Sequence, residues 1–182
     1  MAGTVANVMP SVAGAIYNGA TSASAPTATT STLTGFTDLG YVDEGGVKIT
    51  PSIDMKEIVD GFTGAVVAMV PTGGKVEIQF VLIENAEKTA EAWYGQAATL
   101  AGAGAGKIEF KPRETGGKKS WVIDAVNAAG TTFDRYYVAS GELINREEVA
   151  VAVGETPKYG MTLIAYEVSG VAFTKFSTVL TS

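Results

Sequence analysis

Hydrophobic and polar positions alternate cleanly along residues 75–82. One side carries Val76, Ile78, Phe80 and Leu82, and the other side carries Lys75, Glu77 and Gln79. A period of two residues is typical of a strand with one buried face and one solvated face. The pattern therefore predicts a strand whose polar side chains point away from the core.

The period changes to that of a helix directly after this strand. Asn85 is a suitable N-cap, and Gly95 can adopt the left-handed conformation that follows the last helical turn. The two residues predict a helix near residues 86–94. A helix this short is marginal by itself. We therefore expect it to dock on a sheet through Trp93 and Tyr94.

Two further stretches have the pattern of hairpins. The apolar run at residues 64–70 ends at Pro71, Gly73 and Gly74, which predicts a turn leading into the strand at residues 75–83. Residues 107–111 and 119–126 predict a second hairpin, and the segment between them forms its charged tip.

The remaining chain adds strands and no second convincing helix. Val149, Val151 and Val153 alternate with small residues and predict a strand, as do residues 160–168 and 173–176. The fold class predicted by this pattern is mostly β, a two-sheet sandwich or partial barrel with one flanking α-helix and an extended N-terminal arm.

The arm is set apart by its lack of charge. Residues 1–37 contain no charged side chain, and residues 21–34 are rich in Ser, Thr and Ala. A flexible linker or disordered tail is one interpretation. Because such tails are usually charged, we favour an arm that lies on a partner surface. The predicted organisation is an arm with the first strand at residues 1–37 and one β domain at residues 38–182.

Composition excludes much of the chemistry of enzymes. The chain has no cysteine and no histidine, so it lacks the residues of disulfides, thiolate metal sites and most general bases. The segment Gly102–Lys107 does not follow the order of a phosphate-binding loop, and a mobile loop is the better interpretation. The adjacent carboxylates at residues 43–44 and 147–148 are best explained as a solvated face. We predict no catalytic residue, no metal site and no cofactor.

Charge is unevenly distributed along the chain. The net charge is −6 and the sequence pI is about 4.7, which disfavours binding of nucleic acid through phosphate neutralisation. The segment at residues 107–119 nevertheless carries five basic residues. It is either a soluble hairpin tip or a basic patch that meets an acidic patch on another copy. These residues are Lys107, Lys111, Arg113, Lys118 and Lys119.

Three short motifs together resemble a known family. They are Leu39–Val42 with Gly46 and Val47, then Phe80–Asn85, then Trp93–Gly95. In this order the sequence is similar to the major tail proteins, or tail tube proteins, of long-tailed, siphovirus-like bacteriophages. The resemblance covers residues 12–95 well and the C-terminal half only in its rhythm of hairpins.

The resemblance implies a structural role. In such a protein, six copies form a ring through joined inner sheets, and rings stack into a hollow tube that conducts the genome into the host. The implied partners are other copies of the chain, a tape measure protein, and terminator or distal tail proteins. DNA passes without specific binding, no segment spans a membrane, and the virion tail is assembled in the bacterial cytoplasm.

The residues facing the tube interior are predicted from polarity alone. The candidates are Glu77, Gln79, Glu147 and Glu148, although the polar side of a strand can equally face outward. Two other function classes remain. One is a β-sandwich that binds a receptor or carbohydrate, and the other is an enzyme with a carboxylate pair, which the absence of histidine disfavours.

Overall fold

One β-sheet dominates the structure, a computed structural model that describes residues 11, 13–100, 106–127 and 129–180. Its strands are β1 (Ala13–Gly19), β2 (Phe36–Val59), β3 (Val66–Leu82), β6 (Lys119–Val126), β7 (Thr132–Arg146), β8 (Tyr159–Ala165) and β9 (Thr174–Ser177). The short strands β4 (Thr99–Leu100) and β5 (Gly106–Lys107) pair separately. One helix, α1 (Glu87–Tyr94), lies beside the sheet.

The main sheet closes on itself. The antiparallel pairings run from β1 through β2, β3, β8, β7 and β6 back to β1, and β9 adds to β7. The mostly-β class with one flanking helix is confirmed, and the seven strands of the main sheet form one rolled sheet. Its interior is apolar, with Ile16, Ile78, Trp121, Val138, Met161 and Leu163 at its centre.

The strand and helix expected at residues 75–95 are present. Val76, Ile78, Phe80 and Leu82 are all buried. The helix ends at Tyr94, and its C-cap residue Gly95 has the left-handed conformation, with a φ of 70°. Asn85 is not the N-cap, since Ala86 occupies that position without a side-chain hydrogen bond. The Asn85 Oδ1 instead accepts a hydrogen bond from the Tyr159 hydroxyl at 2.9 Å.

Both predicted hairpins are wrong in their pairing. Pro71, Gly73 and Gly74 lie within the continuous strand β3, beside a register shift opposite Asp54 and Met55. The chain turns instead at residues 60–65, where Asp60 Oδ1 accepts the Phe62 N–H. The second hairpin is absent from the described residues because β6 pairs with β1 and β7.

The predicted strand at Val149, Val151 and Val153 is also absent. Residues 147–158 contain no strand, and the side chains of Val151 and Val153 are 86% and 105% exposed. The alternation of this segment therefore has no partner strand among the described residues.

The described part of the arm contacts its own barrel. Pro26 is buried, and the carbonyl groups of Ala28 and Ser31 accept hydrogen bonds from Arg135 on β7. Residues 20–34, called the strap below, thus contact their own subunit through Pro26 and these two carbonyl groups. Residues 1–10 and 12 of the predicted arm, and residues 101–105 of the glycine-rich loop, lie outside the described residues.

Candidate subunit interface

Four adjacent strands form a wall with one buried side and one polar side. The wall consists of β2, β3, β8 and the C-terminal part of β7, all antiparallel. Ile49, Ile78 and Leu163 pair across it on the core side. Side chains at the intervening positions point away from the core, as the alternation of a strand requires. The polar side is therefore available to solvent or to another molecule.

Two predicted lumen residues lie on this polar side. Glu77 pairs in register with Thr50 and Ile164, and Gln79 pairs with Lys48 and Thr162. The Glu77 carboxylate also lies 2.8 Å from Lys75 Nζ.

Glu147 and Glu148 lie directly beyond β7 at one end of the wall, and both are exposed. The Glu147 N–H donates to the Gly160 carbonyl at 2.9 Å, and a side chain built at Gly160 would clash with the Glu147 carboxylate. Gly160 pairs with Val81 on the polar side, so Glu147 covers the same side of the wall as Glu77.

A groove beside these two residues contains further carboxylates. It is lined by Asp43, Glu147, Glu148 and Glu155 together with Lys158. Lys158 Nζ lies 2.9 Å from the Asp43 carboxylate, and this hydrogen bond lowers the pKa of Asp43. The other three carboxylates have no salt bridge within the described residues, so the groove is acidic.

The five predicted basic residues do not form one free patch. Lys107 lies 2.8 Å from Glu109, and their hydrogen bond raises the pKa of Lys107. Lys111 lies 3.3 Å from Glu114. Arg113 is exposed without a salt bridge in the described structure. The remaining two differ again: Lys118 Nζ lies 4.6 Å from the ring centroid of Tyr166, and Lys119 is half-buried at the start of β6.

The helix contacts its surroundings through an aromatic cluster. The Trp93 ring lies 4.9 Å from Tyr94, 6.0 Å from Phe110 and 6.3 Å from Tyr159, measured between centroids. Arg146 on β7 donates to the Trp93 carbonyl, and burial lowers its pKa. The deepest helix residues are Thr89 and Ala92, which the sequence analysis did not select.

Sequence reasoning missed a projecting ribbon. Residues 51–75, called the ribbon below, comprise the distal parts of β2 and β3 and the turn between them. They pair with each other and with no other strand in the described structure, because the pairing of β3 with β8 begins at Val76. Its exposed large apolar side chains are Ile53, Met55, Ile58, Val59, Phe62, Val66, Val67, Met69 and Val70. An apolar surface of this extent typically marks a contact site.

The wall also has two open edges. The pairing of β2 with β1 ends at Tyr41, so residues 43–59, called the β2 edge, have one side without a backbone partner in the described residues. The pairing of β7 with β6 ends at Gly141, which leaves the backbone of residues 142–146, called the β7 edge, without a strand partner on that side in the described residues. The Thr115 hydroxyl donates to the Glu142 carboxylate, and Arg146 Nη2 donates to the Thr115 carbonyl at 3.0 Å, so the loop before β6 contacts side chains of this edge. The two edges lie on opposite sides of the same wall. Open edges are templates for adding strands from another chain.

Comparison with solved structures identifies the fold. The chain resembles one from a sheath–tube complex of an extracellular contractile injection system, PVC, in the extended state, with 14% identity and a TM-score of 0.55 over 98% of this chain and all of that chain. A chain from the tube-terminating cap of the anti-feeding prophage matches with 15% identity and a TM-score of 0.54, covering 98% and 95% of the two chains. A chain from the six-fold symmetrised baseplate of that prophage matches with 8% identity and a TM-score of 0.55, covering 99% and 100%.

These similarities show that the chain has a fold found in contractile injection systems. The sequence profile of the phage tail tube protein family matches residues 1–178. The chain belongs to this family and is a structural subunit of a phage tail tube. No curated protein matched the sequence in a direct search. Within the described part of the chain, no helix has the length and apolar character needed to cross a membrane.

Proposed function

We propose that copies of this chain join into closed rings through the two open edges of the wall. The observation that carries the proposal is that one four-stranded wall presents a free edge on each side. Successive strands alternate in direction, and four is an even number. The β7 edge of one copy therefore meets the β2 edge of the next in antiparallel orientation when both copies point the same way. Such a head-to-tail contact forms a ring if the rotation closes.

Ring closure removes the edges that a single subunit leaves open. Six copies per ring is the number that the family resemblance implies. The polar side of the wall then lines the lumen, with Glu77, Gln79, Glu147 and Glu148 among its residues. The net charge of −6 and the acidic groove favour passage of DNA without adhesion, because like charges repel phosphates.

The ribbon connects one ring to the next in this proposal. Residues 51–59 extend for about 30 Å at ~3.3 Å per residue. A compact chain of this length is about 40 Å across, so the ribbon reaches most of the way along a neighbouring subunit. A two-stranded ribbon is marginally stable alone. Contact with the next ring buries its apolar side chains, and the exposed Arg113 and Lys118 are further candidates for contacts between rings.

The subunit acts without catalysis in the tail of the virion. Its assembly in the bacterial cytoplasm depends on a tape measure protein and on terminator or distal tail proteins, as the family resemblance implies. Rings that stack through unlike faces form an open filament with no fixed length. These partners therefore limit the tube at its two ends.

Electron microscopy of the concentrated protein, combined with light scattering, tests the proposal. We expect hollow rings or tubes of uniform width. Phe62→Glu is expected to abolish stacking, since Phe62 is fully exposed at the tip of the ribbon. Leu180→Glu is the matched control, because Leu180 is an exposed apolar residue outside the ribbon. A wild-type protein that stays monomeric at high concentration and with tail-end proteins added contradicts the proposal.

A further inference from the structure

Two exposed apolar features lie at opposite ends of the wall. The ribbon leaves the wall at one end, where Val76 is the first residue of β3 that pairs with β8. The connection at residues 147–158 lies at the other end, called the far end below, because it joins β7 to Tyr159, which pairs with Leu82. The wall extends for about 20 Å between these ends, at ~3.3 Å per residue. The height of the wall therefore separates the two features within one subunit.

The tip of this connection, called the valine turn below, exposes the side chains of Val151 and Val153. Its backbone turns through a hydrogen bond of 3.3 Å from the Glu155 N–H to the Ala152 carbonyl. Val149 packs against the core and so holds the start of the connection on the barrel. Turn positions are usually occupied by glycine, proline and short polar residues. Two exposed valines at such a tip therefore indicate a contact surface.

A cleft of about 660 Å³, called the root cleft below, opens where the ribbon leaves the wall. Its apolar and aromatic lining comes from Pro51, Ile53, Pro71, Ile164, Tyr166 and Ala172. Gly73 and Gly74 add no side chain to this lining, and the two charged lining residues, Lys75 and Glu167, have opposite signs. Sites that enclose a drug-sized molecule have volumes of about 300–1,000 Å³. The root cleft thus has room for a turn with two valine side chains.

Stacking of rings through unlike faces brings the two ends of the wall together. The chain is a subunit of a phage tail tube, and in the proposed tube all rings point the same way. The ribbon end of one ring then meets the far end of the next ring. The valine turn and the root cleft both adjoin the wall, so they lie at similar distances from the axis of the proposed tube. A rotation between successive rings brings one above the other.

We infer that the valine turn of one ring docks in the root cleft of the adjacent ring. This inference rests on the proposed stacking of rings and names the surface that receives the far end. Docking removes Val151 and Val153 of one copy and Ile53 of the other copy from water, and burial of apolar surface drives most protein association. The ribbon continues past the docked turn along the neighbouring subunit. Two surfaces that a single subunit leaves exposed thereby bury each other.

Paired charge substitutions test this contact directly. Val153→Lys and Pro71→Glu each place a charge in the expected contact, so each alone should raise the protein concentration needed for tubes at least about tenfold. Both residues are exposed in the subunit, so the thermal midpoints should match the wild type. The double variant brings opposite charges together and should form tubes at a lower concentration than either single variant. A double variant no better than the single variants overturns the inference.

Electron microscopy separates this inference from the proposed function because it distinguishes single rings from tubes. The single variants should form rings but few tubes, since residues 71 and 153 lie outside the β2 edge and the β7 edge. Val179→Lys is the matched control, because Val179 is an exposed valine that follows β9, which pairs with β7 outside the wall. Tubes from Val153→Lys at the wild-type concentration overturn the inference and leave the proposed ring standing. Failure of the wild-type protein to form rings under any condition overturns the proposed function itself.

The absence of cysteine allows the contact to be located by cross-linking. Val153→Cys is combined with one further cysteine, in place of Ile53, Pro71 or Ala172 of the root cleft. Because the two cysteines lie at opposite ends of one subunit, a disulfide between them joins chains of adjacent rings. We expect oxidised tubes of at least one pair to give a ladder of linked chains on a denaturing gel, and Val153→Cys with Val179→Cys to give none. Assembled tubes without a ladder from any cleft pair contradict docking.

Discussion

Replacing Arg135 with methionine tests how the strap is held on the barrel. Arg135 and Asp124 form a buried ion pair in which the side chains are 6% and 4% exposed. The Arg135 Nε lies 2.7 Å from Asp124 Oδ1, and its Nη2 lies 2.6 Å from Oδ2. Its Nη1 donates to the carbonyl of Ser31 at 2.7 Å and to that of Ala28 at 3.2 Å. One guanidinium thus joins two strands and the strap.

The expected loss follows from the burial of Asp124. Removing Arg135 leaves that carboxylate buried without its partner, which typically costs about 3–5 kcal/mol. The two strap carbonyls can bind water after release, so they add little to this cost. The loss is a large fraction of the about 5–15 kcal/mol by which folded proteins are stable. In the double variant Asp124→Leu/Arg135→Met, apolar side chains replace the pair, and most of the stability is expected to return.

Urea unfolding of the dilute subunit, followed by tryptophan fluorescence, measures these free energies. Arg113→Met is the matched control, because Arg113 is exposed and has no salt bridge among the described residues. The strap contains no Lys or Arg, so elastase, which cleaves after small residues, is the suitable probe of its release. We expect faster cleavage at residues 20–34 in both the single and double variants. A loss below about 1 kcal/mol for Arg135→Met, or an unchanged cleavage rate, refutes the reasoning.

Three further predictions concern the packing and titration of the barrel. Gly141→Ala introduces a methyl group that meets core side chains and is expected to cost about 1–3 kcal/mol, whereas Gly14→Ala has ordinary contact distances and should be near neutral in the same urea assay. Thr89→Val removes the 2.8 Å hydrogen bond to the buried Leu39 carbonyl and should cost about 1–3 kcal/mol, with Thr89→Ser as the variant that restores it. Burial raises the pKa of the Tyr159 phenol, so the folded state keeps this proton at a pH at which the unfolded state loses it. The free energy of unfolding should therefore fall as the pH rises above about 10. The fall should be less steep in Tyr159→Phe.

Local sequence signals predicted the central strand and helix well. The alternation from Val76 to Leu82 arises because one face of the strand packs in the core. Glycine occupies position 95 because the end of the helix requires a positive φ there. The strand and the end of the helix both depend on residues close together in the chain, so a local sequence pattern can predict them. Deep burial on the helix involves Thr89, whose hydroxyl is satisfied by the distant Leu39 carbonyl. A local pattern does not show this distant carbonyl, so it does not predict a polar residue on the buried face of the helix.

The turn of the ribbon shows where local signals compete. Pro71, Gly73 and Gly74 have turn chemistry, yet they lie in β3 at a register shift, where an irregular strand accommodates them. The real turn has Asp60 accepting the Phe62 N–H and Gly64 at a φ of 69°. The sequence thus contains two turn signals, one at residues 60–64 and one at residues 71–74, and local chemistry alone does not distinguish them.

Long-range contacts could not be derived from the sequence. The Arg135 side chain meets the Ala28 carbonyl across 107 residues, and no local pattern links the two. The segment at residues 149–153 is the opposite case, because its alternation is clear but no strand forms there. The open edges of the wall likewise become visible only when the register of each strand is known.

The two unlike edges of the wall also determine how a proposed ring is completed. A row of copies always has one junction fewer than its number of subunits, whereas a closed ring has as many junctions as subunits. The last copy to join therefore forms two junctions while losing its translational and rotational freedom only once. This makes closure cooperative, so we expect partial arcs to be scarce beside free subunits and complete rings.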